Sequence, residues 1–264
     1  MLKIGDYVTR KKYNNDIVFK IIDINNNKCI LKGIDIRLIA DSNLDDLVLT
    51  TYKSDDFIND RNELIIDNNY FFIPGTVLHF DMDNEYIIKC KKYYDKKKIK
   101  NTCISFNNKS LEIFEKYINK YKPDIVVVTG HDSYNKKNKK YKNSELFKNI
   151  TKMINKKYPN IIIISGACQS DFIGLLSAGA SFASSPTHSN IHALDPAIIA
   201  SYIALSKKYE IINIEDMISK TYYGKDSFGG IVTNGCMNIG YPRKEKYWIK
   251  ILLKIRWLNY QIVN

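Results

Sequence analysis

Two stretches share one pattern: Ile125-Val126-Val127-Val128-Thr129-Gly130-His131-Asp132 and Ile161-Ile162-Ile163-Ile164-Ser165-Gly166-Ala167-Cys168-Gln169-Ser170. Each opens with a β-branched run that is apolar on both faces, as expected of a strand buried between two layers of helices. Each then has a glycine, where the backbone can turn sharply, followed by a side chain capable of acid–base or nucleophilic chemistry. The same alternation continues outward. Residues 76–80 and 102–106 read as strands ahead of this pair and 180–183 as a fifth strand behind it. Helical patterns fill the intervals at 85–94, 111–121, 144–156 and 171–177. Alternation of this kind predicts an α/β fold with a doubly wound, mostly parallel sheet.

Beyond the fifth strand, residues 195–207 read as a helix, the glycine-rich stretch 224–240 as a hairpin, and 247–257 as an amphipathic C-terminal helix. The N-terminal region has a different period. Residues 7–9, 17–22, 29–31 and 34–39 alternate as short strands, separated by Asn14-Asn15-Asp16 and Asn25-Asn26-Asn27, with a bend at Gly33. A small SH3-like β-barrel over residues 1–42 is the economical reading. An aspartate-rich polar connection follows over 43–72, then the α/β domain over 73–264. No internal repeat is evident.

A chain of 264 residues with 45% hydrophobic content has the length for an α/β core plus a small β domain and is not disordered by composition. No apolar run approaches the roughly 20 residues of a membrane-spanning helix, and the N-terminus lacks the apolar core of a secretory signal. The five cysteines (Cys29, Cys90, Cys103, Cys168, Cys236) are odd in number and never paired as CxxC. They predict neither a disulfide framework nor a zinc site, and no metal or cofactor is expected. The net charge of +12 is carried almost wholly by lysine, since only Arg10, Arg37, Arg61, Arg243 and Arg256 contribute arginine. With no aromatic residues at a stacking spacing, that excess reads as a solvated surface rather than a nucleic-acid site.

In an open parallel sheet, reactive groups collect at the carboxyl ends of the strands. If the two quoted strands are neighbours, His131 and Cys168 emerge side by side, which suits amide hydrolysis: a thiol attacks, and a histidine moves its proton to the leaving nitrogen. The amide of Cys168 and one following Gly130 are candidate oxyanion donors, with Gly130 and Gly166 shaping the turns. A helix soon after Cys168 would favour a thiolate through its dipole. The other cysteines lie in strands, a lysine-rich helix or the glycine-rich stretch and read as structural. His192 is a competing base, His79 reads as a core residue, and Asp195 as an N-cap ahead of Pro196. The run Lys136-Lys137-Asn138-Lys139-Lys140 reads as a mobile solvated loop.

At these residues the chain resembles the YabG family, the sporulation-specific proteases of endospore-forming bacteria. The likeness rests on several motifs in one order: Ile4-Gly5-Asp6-Tyr7-Val8-Thr9-Arg10-Lys11, Gly33-Ile34-Asp35-Ile36-Arg37-Leu38-Ile39-Ala40-Asp41-Ser42, Thr129-Gly130-His131-Asp132, Gly166-Ala167-Cys168-Gln169-Ser170, Phe182-Ala183-Ser184-Ser185-Pro186, Ile191-His192-Ala193-Leu194-Asp195-Pro196 and Gly240-Tyr241-Pro242. The resemblance implies a cysteine protease with His131 and Cys168 as its dyad. It implies spore coat and related spore proteins as substrates, and a place in the mother-cell cytoplasm or at the forming coat. The paired strands are also similar to the caspase, legumain and gingipain group, although here Gly130 precedes the histidine and Asp132 follows it. Cleavage after basic residues, particularly arginine, is implied by the family; an acidic pocket would then be required, for which Asp132 and Asp171 are candidates.

Two other readings stay open on the residues alone. Gly166-Ala167-Cys168-Gln169-Ser170 can be read as a nucleophile elbow of the glutamine amidotransferase or DJ-1 type with His192 as base. Alternatively, the N-terminal barrel, with Lys3, Arg10, Lys11 and Lys12, is a docking module for nucleic acid or a coat scaffold, beside an inert α/β domain. In the preferred reading the barrel docks substrates or partners.

Overall fold

The computed structural model describes residues 2–52, 70–107, 110–135, 137–138 and 140–241; the C-terminal helix expected at 247–257 lies outside them. Strands β1 (Tyr7–Arg10), β2 (Phe19–Asn25), β3 (Lys28–Gly33), β4 (Ile39–Asn43) and β5 (Leu47–Leu49) form an antiparallel sheet in the order β4-β3-β2-β1-β5. Val8, Phe19, Ile21, Cys29, Leu31 and Leu47 pack as its core. The sheet extends past residue 42, because β5 pairs with β1, so the expected polar connection begins inside it. Among the described residues no pairing joins β4 to β5, so the sheet is open at both edges.

The second unit alternates as expected. After β6 (Phe71–Ile73) come β7 (Val77–Asp81), α1 (Asn84–Lys96), β8 (Asn101–Ser105), α2 (Leu111–Tyr121), β9 (Ile125–Thr129), α3 (Ser144–Lys157), β12 (Ile162–Gly166), α4 (Phe172–Ser177), β13 (Phe182–Ser184), α5 (Asp195–Leu205) and α6 (Ile214–Ser219). Between β9 and α3, β10 (Tyr134–Asn135) pairs antiparallel with β11 (Lys140–Tyr141) on either side of the lysine-rich run, of which Lys136 and Lys139 lie outside the described residues. The glycine-rich stretch does not close on itself as a hairpin. Its strands β14 (Phe228–Gly230) and β15 (Asn238–Gly240) pair separately, β14 antiparallel to β13 and β15 antiparallel to β6.

The central sheet runs β14-β13-β12-β9-β7-β8, parallel except at β14. In sequence terms its parallel strands follow the order 2-1-3-4-5, which reverses between β7 and β9 and makes that boundary the switch point of the fold. Alternate residues of one strand feed two cores. Ile125 and Val127 face α1 and α5, while Val126 and Val128 face α2 and α3. Apolar residues of the helices cover both faces of the sheet, which explains why β9 carries no polar residue until Thr129 at its carboxyl end.

The two units are keyed together by residues 34–38, which the alternation of Ile34, Ile36 and Leu38 makes look like a strand. They form instead an excursion from the N-terminal sheet into the α/β unit. Ile36 joins the core beside α5, and Arg37 is fully buried. Arg37 donates to a carboxylate oxygen of Asp81 and, at 2.8 Å, to the carbonyl of Ala193. Its backbone amide donates to Ile191 O at 3.0 Å, Ala193 N donates to Asp35 O at 2.6 Å, and Ile36 bridges His192. A chain beginning near Asn69 would therefore leave Asp81 buried without its cation and open the core beside α5. The expected result is loss of a cooperative unfolding transition, read by circular dichroism; a sharp melt of that shortened protein would refute it.

Candidate active site

β9 and β12 are adjacent and parallel, with Gly166 opposite Thr129. His131 and Cys168 each lie two residues beyond that matched pair, so their loops leave the same edge of the sheet at the same height. The glycines that precede them have separate physical reasons. A Cβ on Gly130 would come within 2.6 Å of Met82 Cγ. Gly166 has φ of +128°, a region that side chains avoid, and a Cβ there would lie 2.2 Å from Ser184 Oγ. The turn that follows is tied by Ser170 Oγ, which accepts from Ala167 N at 2.7 Å, and by Ser184 Oγ, which donates to Ala167 O at 2.8 Å.

The His131 ring is about a fifth exposed. Its Nε2 lies 3.0 Å from Asp83 Oδ2, and its Nδ1 is buried with no hydrogen-bond partner among the described residues. With Nε2–H donating to the carboxylate, Nδ1 is left as the basic nitrogen. Asp83 follows β7 and so stands at the other side of the switch point. Its carboxylate caps α1, accepting from Glu85 N and Tyr86 N, and pairs with Lys32 Nζ at 2.7 Å. Burial would raise its pKa, but the hydrogen bond from His131 and the Lys32 ammonium outweigh that and hold it well below the usual carboxylate range. Tyr86 borders His131, with ring centroids 5.6 Å apart.

Cys168 is fully buried. Its sulfur accepts from Ile191 N at 3.2 Å and faces Ile191 O at 3.8 Å, and burial pushes the thiol up to about 12. The expected helix dipole does not offset this. α4 starts only at Phe172, and the Asp171 carboxylate already caps it by accepting from Gly174 N. The thiol is thus protonated and sealed under the segment running into α5, which the 34–38 excursion grips from the other side.

The remaining sequence candidates are occupied by structural bonds. Asp132 accepts from Ser133 N and Asn143 N, each at 2.8 Å, and from Ser144 Oγ, which fixes the loop to the start of α3. Asp171 pairs with Lys148 at 3.0 Å besides capping α4. His192 is stacked on Tyr222 with centroids 3.4 Å apart, its Nδ1 accepts from Leu194 N, and burial lowers its pKa to about 3. Asp195 is not the N-cap of α5 as expected. Leu194 occupies that position, and the buried Asp195 carboxylate accepts from His192 N and Tyr222 N, with desolvation raising its pKa to about 7. His79 is a core residue as read, bonded to Tyr94 Oη and Thr129 Oγ1. Cys90 and Cys29 are buried within their units, as structural thiols should be.

Sequence reasoning missed Asp83, Lys32 and Arg37. The available signal was the pair Asp81 and Asp83 straddling Met82, at the carboxyl end of a fully buried strand at the switch point. Among the described residues, no group of histidine, cysteine and carboxylate side chains could hold a metal ion, and no helix is long and apolar enough to cross a membrane.

Comparison with known proteins adds two findings. The sequence model of the family described as YabG peptidase U57 matches residues 3–63 and 53–242. The sporulation-specific protease YabG of Bacillus subtilis (strain 168) is 36% identical over 288 aligned positions, covering 92% of this chain and 99% of that protein.

Proposed function

The chain belongs to the YabG family of peptidases, and from that premise we propose that it is a cysteine endopeptidase of sporulation in which Cys168 is the nucleophile and His131 the general acid and base. The observation that carries this reading is the matched offset of the two residues beyond Gly166 and Thr129, together with a buried His131 Nδ1 that has no partner among the described residues. An imidazole held at Nε2 by a carboxylate and open at Nδ1 is a base in want of a proton.

In the reaction, the Cys168 thiol gives its proton to His131 and the sulfur bonds to the scissile carbonyl carbon. The oxyanion takes hydrogen bonds from the amide of Cys168 and from one after Gly130. As the intermediate collapses, His131 protonates the departing amine and an acyl-enzyme remains. Water, deprotonated by His131, then releases the acid and restores the thiol. Burial holds the resting thiol protonated, so the cycle starts with displacement of Ile191 from the sulfur by substrate.

We assign spore coat and related spore proteins as substrates, in the mother-cell cytoplasm or at the forming coat, with cleavage after arginine. The caspase-like arrangement belongs to the same reading, since it also places histidine and cysteine after two hydrophobic strands. Asp132 and Asp171 are taken up by loop and helix bonds, so the acidic pocket draws on other carboxylates.

The two histidines separate this reading from an amidotransferase-like one. His131→Ala should lower cleavage of spore coat proteins by at least about 100-fold, the scale of a lost general acid–base group. His192→Ala should leave cleavage within a few fold while lowering stability by about 1–3 kcal/mol, because it removes a buried stacked ring that accepts a hydrogen bond. Product mapping by mass spectrometry alongside thermal melts checks both. The reverse pattern would transfer the base role to His192.

A further inference from the structure

We propose that Asp83 and Lys32 are positioning residues for the catalytic histidine, so that the N-terminal sheet supplies part of the catalytic apparatus; the inference rests on the reading of His131 and Cys168 as the dyad. Four observations converge on it. The Asp83 carboxylate holds His131 Nε2 at 3.0 Å, which leaves Nδ1, without a hydrogen-bond partner among the described residues, as the ring nitrogen free for proton exchange. It does so from the loop after β7, across the switch point from the loop after β9, where a ligand-binding crevice opens in folds of this class.

The carboxylate is itself held. Lys32, on β3 of the N-terminal sheet, reaches both its oxygens at 2.7 and 2.8 Å, and that side chain is only 12% exposed. A lysine so withdrawn from water needs a strong anionic partner, and Asp83 is the more buried of its two. Tyr86 completes the clamp. Its ring carries Lys32 Nζ at 5.1 Å and borders His131, and its hydroxyl lies 2.6 Å from Gly33 O, one residue after Lys32 on the chain.

A helix cap alone would not require this arrangement. Asparagine caps a helix as well as aspartate does, with no charge and no lysine partner. The chemistry of proton transfer does require it. When His131 takes the thiol proton it becomes an imidazolium, and an ionised carboxylate on Nε2 both stabilises that charge and fixes which nitrogen faces the sulfur. Lys32 keeps the carboxylate ionised and stops it from rotating away.

The test uses the full chain and the best-cleaved member of an internally quenched peptide library. Asp83→Asn preserves the cap and leaves Lys32 its Glu85 partner at 2.7 Å, so its melting midpoint should stay within a few degrees of wild type. We expect kcat to fall about 10- to 100-fold with KM within threefold, since the loss falls on the transition state rather than on substrate binding. Lys32→Met should lower kcat about tenfold, and Lys32→Arg should recover at least half of that loss on a logarithmic scale. A purely structural role predicts the opposite, with Asp83→Asn close to wild type in kcat. That outcome, or a loss confined to KM, overturns the proposal. If Asp83→Asn does not fold, the Lys32 pair decides alone, and equal kcat in the two variants overturns it. Cys168→Ala run in parallel keeps the readings apart: retained cleavage there removes the dyad, whereas its loss beside an active Asp83→Asn removes only the positioning role.

Discussion

Cys168→Ala should abolish cleavage of spore coat proteins, with residual activity at least about a thousandfold below wild type, because in the proposed mechanism Cys168 forms the acyl bond. Another thiol on this side of the sheet, Cys90, is buried between Arg37 and the Ala193 carbonyl, with burial pushing it up to about 12. The fold should survive. Alanine removes one sulfur from a packed site and leaves Ile191 N without its acceptor, a cost of about 1–2 kcal/mol. For a chain of this size that corresponds to a melting midpoint lowered by about 2–8 °C. The measurement pairs mass-spectrometric mapping of coat-protein fragments with a thermal melt. A folded Cys168→Ala protein that still produces the wild-type fragments would eliminate the cysteine mechanism and leave only the family's peptidase character.

Much of this site was legible because its strands carry strong signals. Runs such as Ile125 to Val128 cannot face water on either side, so a parallel sheet and its carboxyl edge follow from them. The equal offsets of His131 and Cys168 past a glycine then predict that they lie on neighbouring loops, and the pairing of Gly166 with Thr129 gives that geometry. What was not legible has two physical causes. Asp83 is hidden because an aspartate before a helix is an ordinary cap, and nothing local distinguishes a cap that also holds a histidine 48 residues away. Residues 34–38 are hidden because period-two alternation marks any backbone that is apolar on one side, whether it pairs in its own sheet or docks on another unit. The true neighbouring strand, β4, alternates between exposed and half-buried and carries almost no hydrophobic signal. The seal over Cys168 is likewise non-local, since Ile191 lies 23 residues further on.

The largest effect on stability is expected at Arg37. Burying a guanidinium costs several kcal/mol, and here the cost is offset only by specific partners. Burial would lower the pKa of Arg37, but the Asp81 carboxylate outweighs it and holds the group charged beyond its usual range. Asp81 is equally dependent. It is fully buried, and besides Arg37 it takes Thr129 Oγ1 at 2.7 Å and Asp83 N at 2.8 Å. Arg37→Met would fill much of the volume but leave that carboxylate without a counter-charge, for which the expected loss is about 3–5 kcal/mol. Because Asp83 N donates to Asp81, the loop that carries the His131 partner would loosen at the same time, and activity should fall with stability. The control is Arg37→Met combined with Asp81→Asn. A neutral amide needs no cation, and its oxygen can still accept from Asp83 N while its NH2 donates to the Thr129 hydroxyl, so the double variant should recover at least half of the lost stability, as coupled neighbours do. Urea melts of the two single variants and the double variant give the coupling directly. Independent, additive losses would mean that the N-terminal sheet is held by packing alone; recovery in the double variant would place one buried ion pair at the junction between that sheet and the catalytic edge, where a substitution in the first unit reaches the chemistry of the second.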